Sequence, residues 1–448
     1  MRRLVPTALA AALLLVPATA HARYVALDGV PGYGPSKYAK VFVDQVGPAS
    51  AKRVLVLIPG TFGGAGDFAK IGPELVKRVP GLQVWSIDRR SNALEDTAML
   101  VKGMRGEATP QQVSDYYLGW IGNPAIATHY QPLKDADFGF AREWGLATQM
   151  GDVHKVVQAA RKGGRQVVLG GHSLGGASTV QYATWDFGGR AGYEDLSGLV
   201  LIDGSAGGGA GPKLADVKKQ VAEVEGGSPW ADLLNLNLPW ATGVFAESAA
   251  LAAIKAPNEP SIGQTMALLP AIFKPGVPVD NRAQLGYAFD YRTSPPALGL
   301  IQVHSGHVAD AAGANGLHPW VDDGITKLDD LAGMLAQEPG NFIEWYYPKR
   351  LSIDVGAARS LTRNAATDYL KLRTWHAKQV DVPVYAFQTS LSKGGVLKAT
   401  KAFVKASKVR SHTYVDRSTT YSHIDPLSAT PSENDFLKTV VPFLKRVR

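Results

Sequence analysis

The chain has 448 residues, 47 Lys and Arg against 39 Asp and Glu, and no cysteine. That length accommodates one large domain with a substantial insertion, or two domains. The missing cysteines exclude disulfides and a lipid-modified cysteine, and the net charge of +8 is scattered along the chain without aromatic–basic interleaving, so no nucleic-acid partner is indicated.

Arg2 and Arg3 precede an apolar run over residues 4–17 and then Ala20-His21-Ala22. A basic start, a short apolar stretch and an A-x-A site make up a secretory signal. The expectation is cleavage near Ala22 and an extracellular or periplasmic protein. No later run is long and apolar enough to be a membrane span.

A Gly- and Pro-rich loop is expected over 28–36, then a strand at Lys40–Val46, read as an early edge hairpin strand. The continuous apolar run Arg53–Ile58 reads as a buried parallel strand. A helix over 68–79 and a strand at Leu82–Asp88 follow. Residues 91–140 interrupt this alternation and read as a surface excursion. A helix over 147–162 restores it. After the strand and helix that flank Ser173, another strand is expected over 196–203, ending in Asp203.

From Gly204 to about Gln379 the sequence is rich in Leu, Ala, Pro and Trp, with helical stretches broken by prolines. It reads as a mostly helical insertion after the sixth core strand, since structureless loops of that length are uncommon in compact domains. The core resumes with a strand over 382–388, a helix over 396–407 and a strand over 411–416. A closing helix over 432–447 is expected to be capped by Ser432. The expected organisation is a leader over 1–22, core segments over 23–204 and 381–448, and a cap over 205–380.

The most informative stretch is Gly171-His172-Ser173-Leu174-Gly175, preceded by an apolar run and followed by small residues of helical pattern. A strand–turn–helix of this kind presents a serine hydroxyl at the carboxyl edge of a sheet. With the loop Pro59-Gly60-Thr61-Phe62-Gly63-Gly64 and a late histidine, His423, the chain resembles the α/β-hydrolase superfamily. The resemblance implies a mostly parallel sheet with helices on both faces. It also implies a carboxylic ester hydrolase of the serine esterase or lipase type, working without a cofactor on a small or polymeric ester.

Serine is a weak nucleophile without a base, and the base needs an orienting acid. Superfamily order is Ser, acid, His. Ser173 is the expected nucleophile. His423 is the expected base, and His412 competes from within a strand pattern. Residues 382–415 contain no Asp or Glu, so the usual place of the acid after the seventh strand is vacant. Asp203, at the end of the sixth strand, takes that role, with Asp416 and Asp425 as alternatives. The amides of Leu174 and Thr61 are the expected oxyanion donors, Phe62 being the alternative to Thr61. Pro59-Gly60-Thr61 also resembles a lipase loop in which the Thr supplies its hydroxyl as well as its amide.

Other features carry less. His304, His307 and His318 lack the carboxylate partner of a metal site. Gly63-Gly64-Ala65-Gly66 lacks the Lys of a phosphate loop. Trp230, Trp240, Trp320 and Trp345 suit cap packing better than an acyl pocket. A peptidase or amidase with the same triad, and a non-catalytic binding protein on the same fold, are the rival readings.

Overall fold

The computed structural model describes residues 23–447; the expected leader over 1–22 lies outside them. One eight-stranded sheet comprises β1 (Arg23–Asp28), β2 (Lys40–Val46), β3 (Arg53–Ile58), β4 (Leu82–Asp88), β5 (Gln166–His172) and β6 (Gly198–Ile202). Within the insertion, β7 (His307–Val308) and β8 (Trp320–Val321) form a separate two-residue ladder, and β9 (Val384–Gln388) and β10 (His412–Asp416) complete the main sheet. Its order is β1-β2-β4-β3-β5-β6-β9-β10. β2 runs antiparallel to β1 and β4, and every other pairing is parallel.

The central strands are apolar without alternation because helices cover both faces of the sheet. β4, β6 and β9 are buried along their whole length, whereas β1 and β10 are partly exposed at the edges. β2 is not the edge strand expected from the sequence. Arg23–Asp28 pairs outside it, with Tyr24 stacked on Phe42 at 5.7 Å between ring centroids. The closing helix also starts later than expected, at Asp435. Its cap is Asn434, whose side chain accepts the Leu437 amide, and not Ser432.

β3 lies between β4 and β5, so the chain leaves it towards one side and returns on the other. Such a switch point opens a crevice at the carboxyl ends of the strands. The loop after β3 and the turn after β5 both border it. At that turn Ser173 has φ 56° and ψ −122°, strained for a residue with a side chain. The turn fits only because the helix Leu174–Thr184 approaches β3 very closely. A Cβ on Gly175 would lie 2.0 Å from the Ile58 carbonyl oxygen.

Between β6 and β9 the regular structure is almost entirely helical, with Leu214–Glu225, Ala241–Lys255 and Asn281–Phe289 among its helices, but more than half of the residues lie in irregular segments between them. Trp230, Trp240 and Trp345 are fully buried against Tyr117, Tyr130 and Tyr346, which joins the 91–140 excursion to the insertion. Trp320 packs over Gly286. These tryptophans are packing residues. No helix among the described residues is long and apolar enough to cross a membrane.

Part of the insertion is stitched to the loop after β3. Gly64 donates to the Phe342 carbonyl at 3.2 Å, Gly66 to that of Asn341 at 2.9 Å, and Glu344 to that of Phe62 at 2.8 Å. Buried carboxyls surround this seam. Asp88 accepts the Ala65 amide at 2.6 Å and the Tyr24 hydroxyl at 2.9 Å, and Glu95 accepts the Trp345 amide at 2.8 Å. Burial pushes Asp67 up to about 8 and Asp88 up to about 7. It raises Glu95, Glu247 and Glu344 as well.

Two measurements test this account. Gly175→Ala should destabilise the protein by about 1–3 kcal/mol in urea unfolding, because the helix must move off β3. Stability should also fall as pH rises through about 7 to 8, the range of Asp88 and Asp67. Their raised values mean that the folded state holds protons the unfolded chain has released, so their contribution is full below the ordinary carboxylate range and is lost on the alkaline side. Thermal unfolding should show a higher Tm at mildly acidic pH than at mildly alkaline pH, and a Tm rising across that interval would contradict the assignment.

Candidate active site

Ser173, Thr61, Phe62, His172 and His423 line one pocket of about 380 Å³ at the carboxyl edge of the sheet. β5 delivers Ser173, whose amide donates to the Ile202 carbonyl at 2.8 Å and so aligns the turn with the end of β6. The next residue on β6 is Asp203, held at φ 44°. Its side chain reaches His423, with Nδ1 at 2.5 Å from Oδ2. Both residues are buried.

Thr389, just after β9, supports the carboxylate. Its amide donates to Oδ1 at 2.8 Å and its hydroxyl to Oδ2. The strand that would ordinarily end in the acid therefore supplies donors to an acid on its neighbour. Burial alone would raise the Asp203 carboxyl. The His423 ring and the two Thr389 bonds outweigh it and hold the group below the ordinary carboxylate range. An ionised Asp203 accepts the Nδ1 proton of His423 and leaves Nε2 with its lone pair.

His172 also contributes. Its Nε2 donates to the His423 carbonyl at 3.0 Å, and the two rings lie 4.3 Å apart. Burial, with the neighbouring His423, lowers His172 to about 3, so the ring is neutral at ordinary pH and packs as an uncharged support.

The alternative residues serve elsewhere. His412 stacks on Tyr414 at 4.6 Å on the edge strand. Asp416 accepts the Ser418 amide at 2.9 Å. Asp425 is fully buried and accepts His304 Nδ1 at 2.6 Å, the His304 amide at 2.9 Å and the Ser422 amide at 2.7 Å. It fastens the insertion to the loop that carries His423.

Arg89, which the sequence did not single out, governs the loop after β3. All five of its N–H groups have acceptors. Nη2 donates to the Pro59 and Gly60 carbonyls at 2.9 and 2.8 Å, and Nη1 to Gly63 at 2.8 Å and Glu344 at 2.9 Å. Nε donates to Gln149 at 3.0 Å. In a trans peptide the C=O and the following N–H point in opposite directions. Three carbonyls turned towards Arg89 therefore turn the amides of Gly60, Thr61 and Gly64 away from it. The Gly60 amide reaches Asp67 at 3.3 Å and that of Gly64 reaches Phe342 at 3.2 Å. Among the described residues, the Thr61, Phe62 and Leu174 amides have no hydrogen-bond acceptor. The only sequence signal for Arg89 was its place directly after a strand ending in Asp88.

No protein-family model matches the chain, and no curated protein matches it. Solved structures do. A provisionally assigned lipase from Sulfolobus solfataricus aligns at 17% identity with a TM-score of 0.48, covering 93% of this chain and 92% of that one. Epoxide hydrolase A from Mycobacterium thermoresistibile aligns at 11% identity and TM-score 0.45, covering 96% and 99%. An epoxide hydrolase from Vigna radiata aligns at 13% and 0.44, covering 95% and 98%. The strand order, the antiparallel second strand, the switch point at β3 and the strained turn at Ser173 are this chain's own, and by them it has the α/β-hydrolase fold.

Proposed function

We propose that the protein is an exported serine hydrolase that cleaves carboxylic esters through an acyl-enzyme. The observation that carries this reading is Asp203 paired with His423 beside a strained Ser173 and unpartnered backbone amides. Ser173 Oγ attacks the acyl carbon while His423 Nε2 takes its proton. The carbonyl oxygen becomes an oxyanion facing the amides of Leu174 and of Thr61 or Phe62. Its collapse breaks the C–O bond, and His423 returns the proton to the departing alcohol. Water then attacks the acyl-serine with His423 again as base, releasing the acid and restoring Ser173. Asp203 holds the imidazole in the tautomer that accepts at Nε2 and stabilises the imidazolium. Arg89 touches no reacting atom. It is a positioning residue that fixes the direction of the loop amides.

Ser173→Ala should abolish hydrolysis of p-nitrophenyl acetate and labelling by a fluorophosphonate while leaving the unfolding transition in place. More than a few per cent of residual turnover would remove Ser173 from the mechanism. Asp203→Asn should lower kcat by about four orders of magnitude, as loss of the acid does in the best-studied triad. Asp416→Asn should stay near wild type, and a crippled Asp416→Asn would move the acid there.

Arg89→Lys keeps the charge and loses the five-donor fork. Misdirecting one oxyanion donor costs about 100- to 1,000-fold in kcat. The expected result is a loss of that order in kcat with KM much less affected. Equal losses for Arg89→Lys and for wild type partially unfolded to the same extent would reduce Arg89 to a stability residue.

A further inference from the structure

Carboxyls from separate stretches of chain gather behind the loop after β3. Asp88 ends β4, Glu95 follows the 3-10 turn Arg90–Leu94, and Glu247 lies on the helix Ala241–Lys255. Glu338 and Glu344 belong to the strip of the insertion that seats on residues 62–66. One cation stands beside them, Arg89, and its ion pair is with Glu344. The titratable groups that face Glu247 are Glu338, Glu95 and Tyr117. Those that face Glu338 are Glu247, Asp88 and Tyr24. Every one of them is an acid.

Hydrogen bonding divides the group. Glu344 accepts from Arg89 and Ser91, Asp88 from the Ala65 amide and Tyr24, and Glu95 from the Trp345 amide and from Asn341 Nδ2 at 2.5 Å. Glu247, 1% exposed, accepts only Trp345 Nε1, at 3.0 Å on Oε2. Its Oε1 and both carboxyl oxygens of Glu338 are buried without a partner. A carboxylate buried with neither donor nor counter-ion is far costlier than a neutral carboxyl. Protonation removes the charge and turns one oxygen into a donor. The electrostatics agree with this accounting. Burial, and then the charge of Glu338, raises Glu247, and burial pushes Glu338 up to about 8.

Both acids belong to the support of the strip. Glu247 holds the Trp345 ring, and the residue before it, Glu344, donates its amide to the Phe62 carbonyl at 2.8 Å. We propose that Glu247 and Glu338 are proton-bearing positioning residues: while the pair keeps a proton the strip stays seated on residues 62–66, and when both are ionised the strip lifts and the amides around Ser173 lose their alignment. The proposal rests on the ester-hydrolase reading above. Two like charges in a buried site without a counter-ion repel and have to admit water. The strip is the part that yields, because three backbone bonds join it to the loop whereas Glu247 sits within a fifteen-residue helix. Groups raised in the folded state contribute fully below the ordinary carboxylate range and lose their hold as pH rises through the raised values. The triad alone gives no alkaline loss, since a neutral His423 and an ionised Asp203 both persist there.

The test measures kcat for p-nitrophenyl acetate against pH, corrected for uncatalysed hydrolysis. A group that titrates near 8 keeps its proton in about one-tenth of the molecules at pH 9, so wild-type kcat should fall about tenfold between pH 7 and pH 9, with KM little changed. Glu247→Gln and Glu338→Gln each place an amide donor against the remaining carboxylate. Each should match wild type at pH 7 and stay within about twofold of that value at pH 9. Glu338→Asp still titrates and should keep the alkaline fall. Two readouts need no turnover. Infrared spectra should lose a protonated-carboxyl C=O band over the same interval, and Glu338→Gln should lack that band. Hydrogen exchange at the Gly64, Gly66 and Glu344 amides should accelerate relative to the amides of β6 on going to pH 9, in wild type and in neither Gln variant.

A level wild-type profile overturns the proposal, and so does a flat profile in Glu338→Asp. A fall that persists unchanged in both Gln variants overturns it too and moves the alkaline limb to Asp67 or Asp88. A fall in kcat with no change in exchange at the three amides removes the strip from the account. If no ester is hydrolysed but the infrared band and the exchange behave as stated, the ester reading fails and the proton-dependent seating of the strip stands. Ester turnover that is level in alkali leaves the ester reading in place and overturns this proposal.

Discussion

The guanidinium of Arg89 sits where the sheet, the loop after β3 and the insertion meet, and the geometry of the site depends on how it is satisfied. Its planar fork faces three backbone carbonyls, one glutamine and one carboxylate, with no donor left over. Backbone carbonyls rarely converge on one point, because their dipoles repel. A buried cation makes that convergence favourable; of the amides on the opposite side of the same peptides, those of Gly60 and Gly64 bond within the protein and that of Thr61 is left without an acceptor. Glu344 neutralises the cation, and it comes from the insertion. The direction of the loop amides is therefore set jointly by a core strand and by a segment more than two hundred residues further along the chain.

The same division of labour recurs around His423. Asp203 on β6 orients its ring, Thr389 after β9 orients Asp203, and His172 on β5 holds its carbonyl. From the insertion, His304 and Thr326 grip Asp425, two residues after His423. The insertion thus contacts both loops that frame Ser173. An apolar cavity beside the pocket is lined mainly by the same stretch of chain, with Ser114 and Leu118 added from the 91–140 excursion, so one segment supports the loops around Ser173 and shapes much of the space next to them.

Much of this was legible in the sequence because it depends on local rules. Apolar runs located β3, β4, β5, β6 and β9 within one or two residues, and Gly-x-Ser-x-Gly between a strand and small helical residues located the turn at Ser173. The vacancy of acids over residues 382–415 pointed to Asp203, and the structure brings Asp203 and His423 together. What escaped depends on distant partners. Arg23–Asp28 has no strong alternation and is a strand because β2 offers it an open edge. Arg89 passes unremarked in the sequence, because its five acceptors come together only in the fold. Ser432 satisfies every local rule for a helix cap, but Asn434 stands nearer the first turn that packs and takes the role.

The pairing of residues 62–66 with 341–344 bears on how this protein could have been assembled and how it could be re-engineered. Insertions on this kind of sheet are often treated as exchangeable modules placed over an independent catalytic base. Here, excision of the segment between β6 and β9 would leave Arg89 buried without its counter-ion, expose three loop groups to new partners and release Asp425 from His304. A shortened chain would keep the sheet and Ser173 but lose the alignment of the amides around it. Swapping specificity by transplanting whole insertions is closed to this scaffold unless residues 341–344 and 302–305 stay with the recipient. The separable part is the remainder of the insertion, less Glu338 and the helix Ala241–Lys255 that carries Glu247.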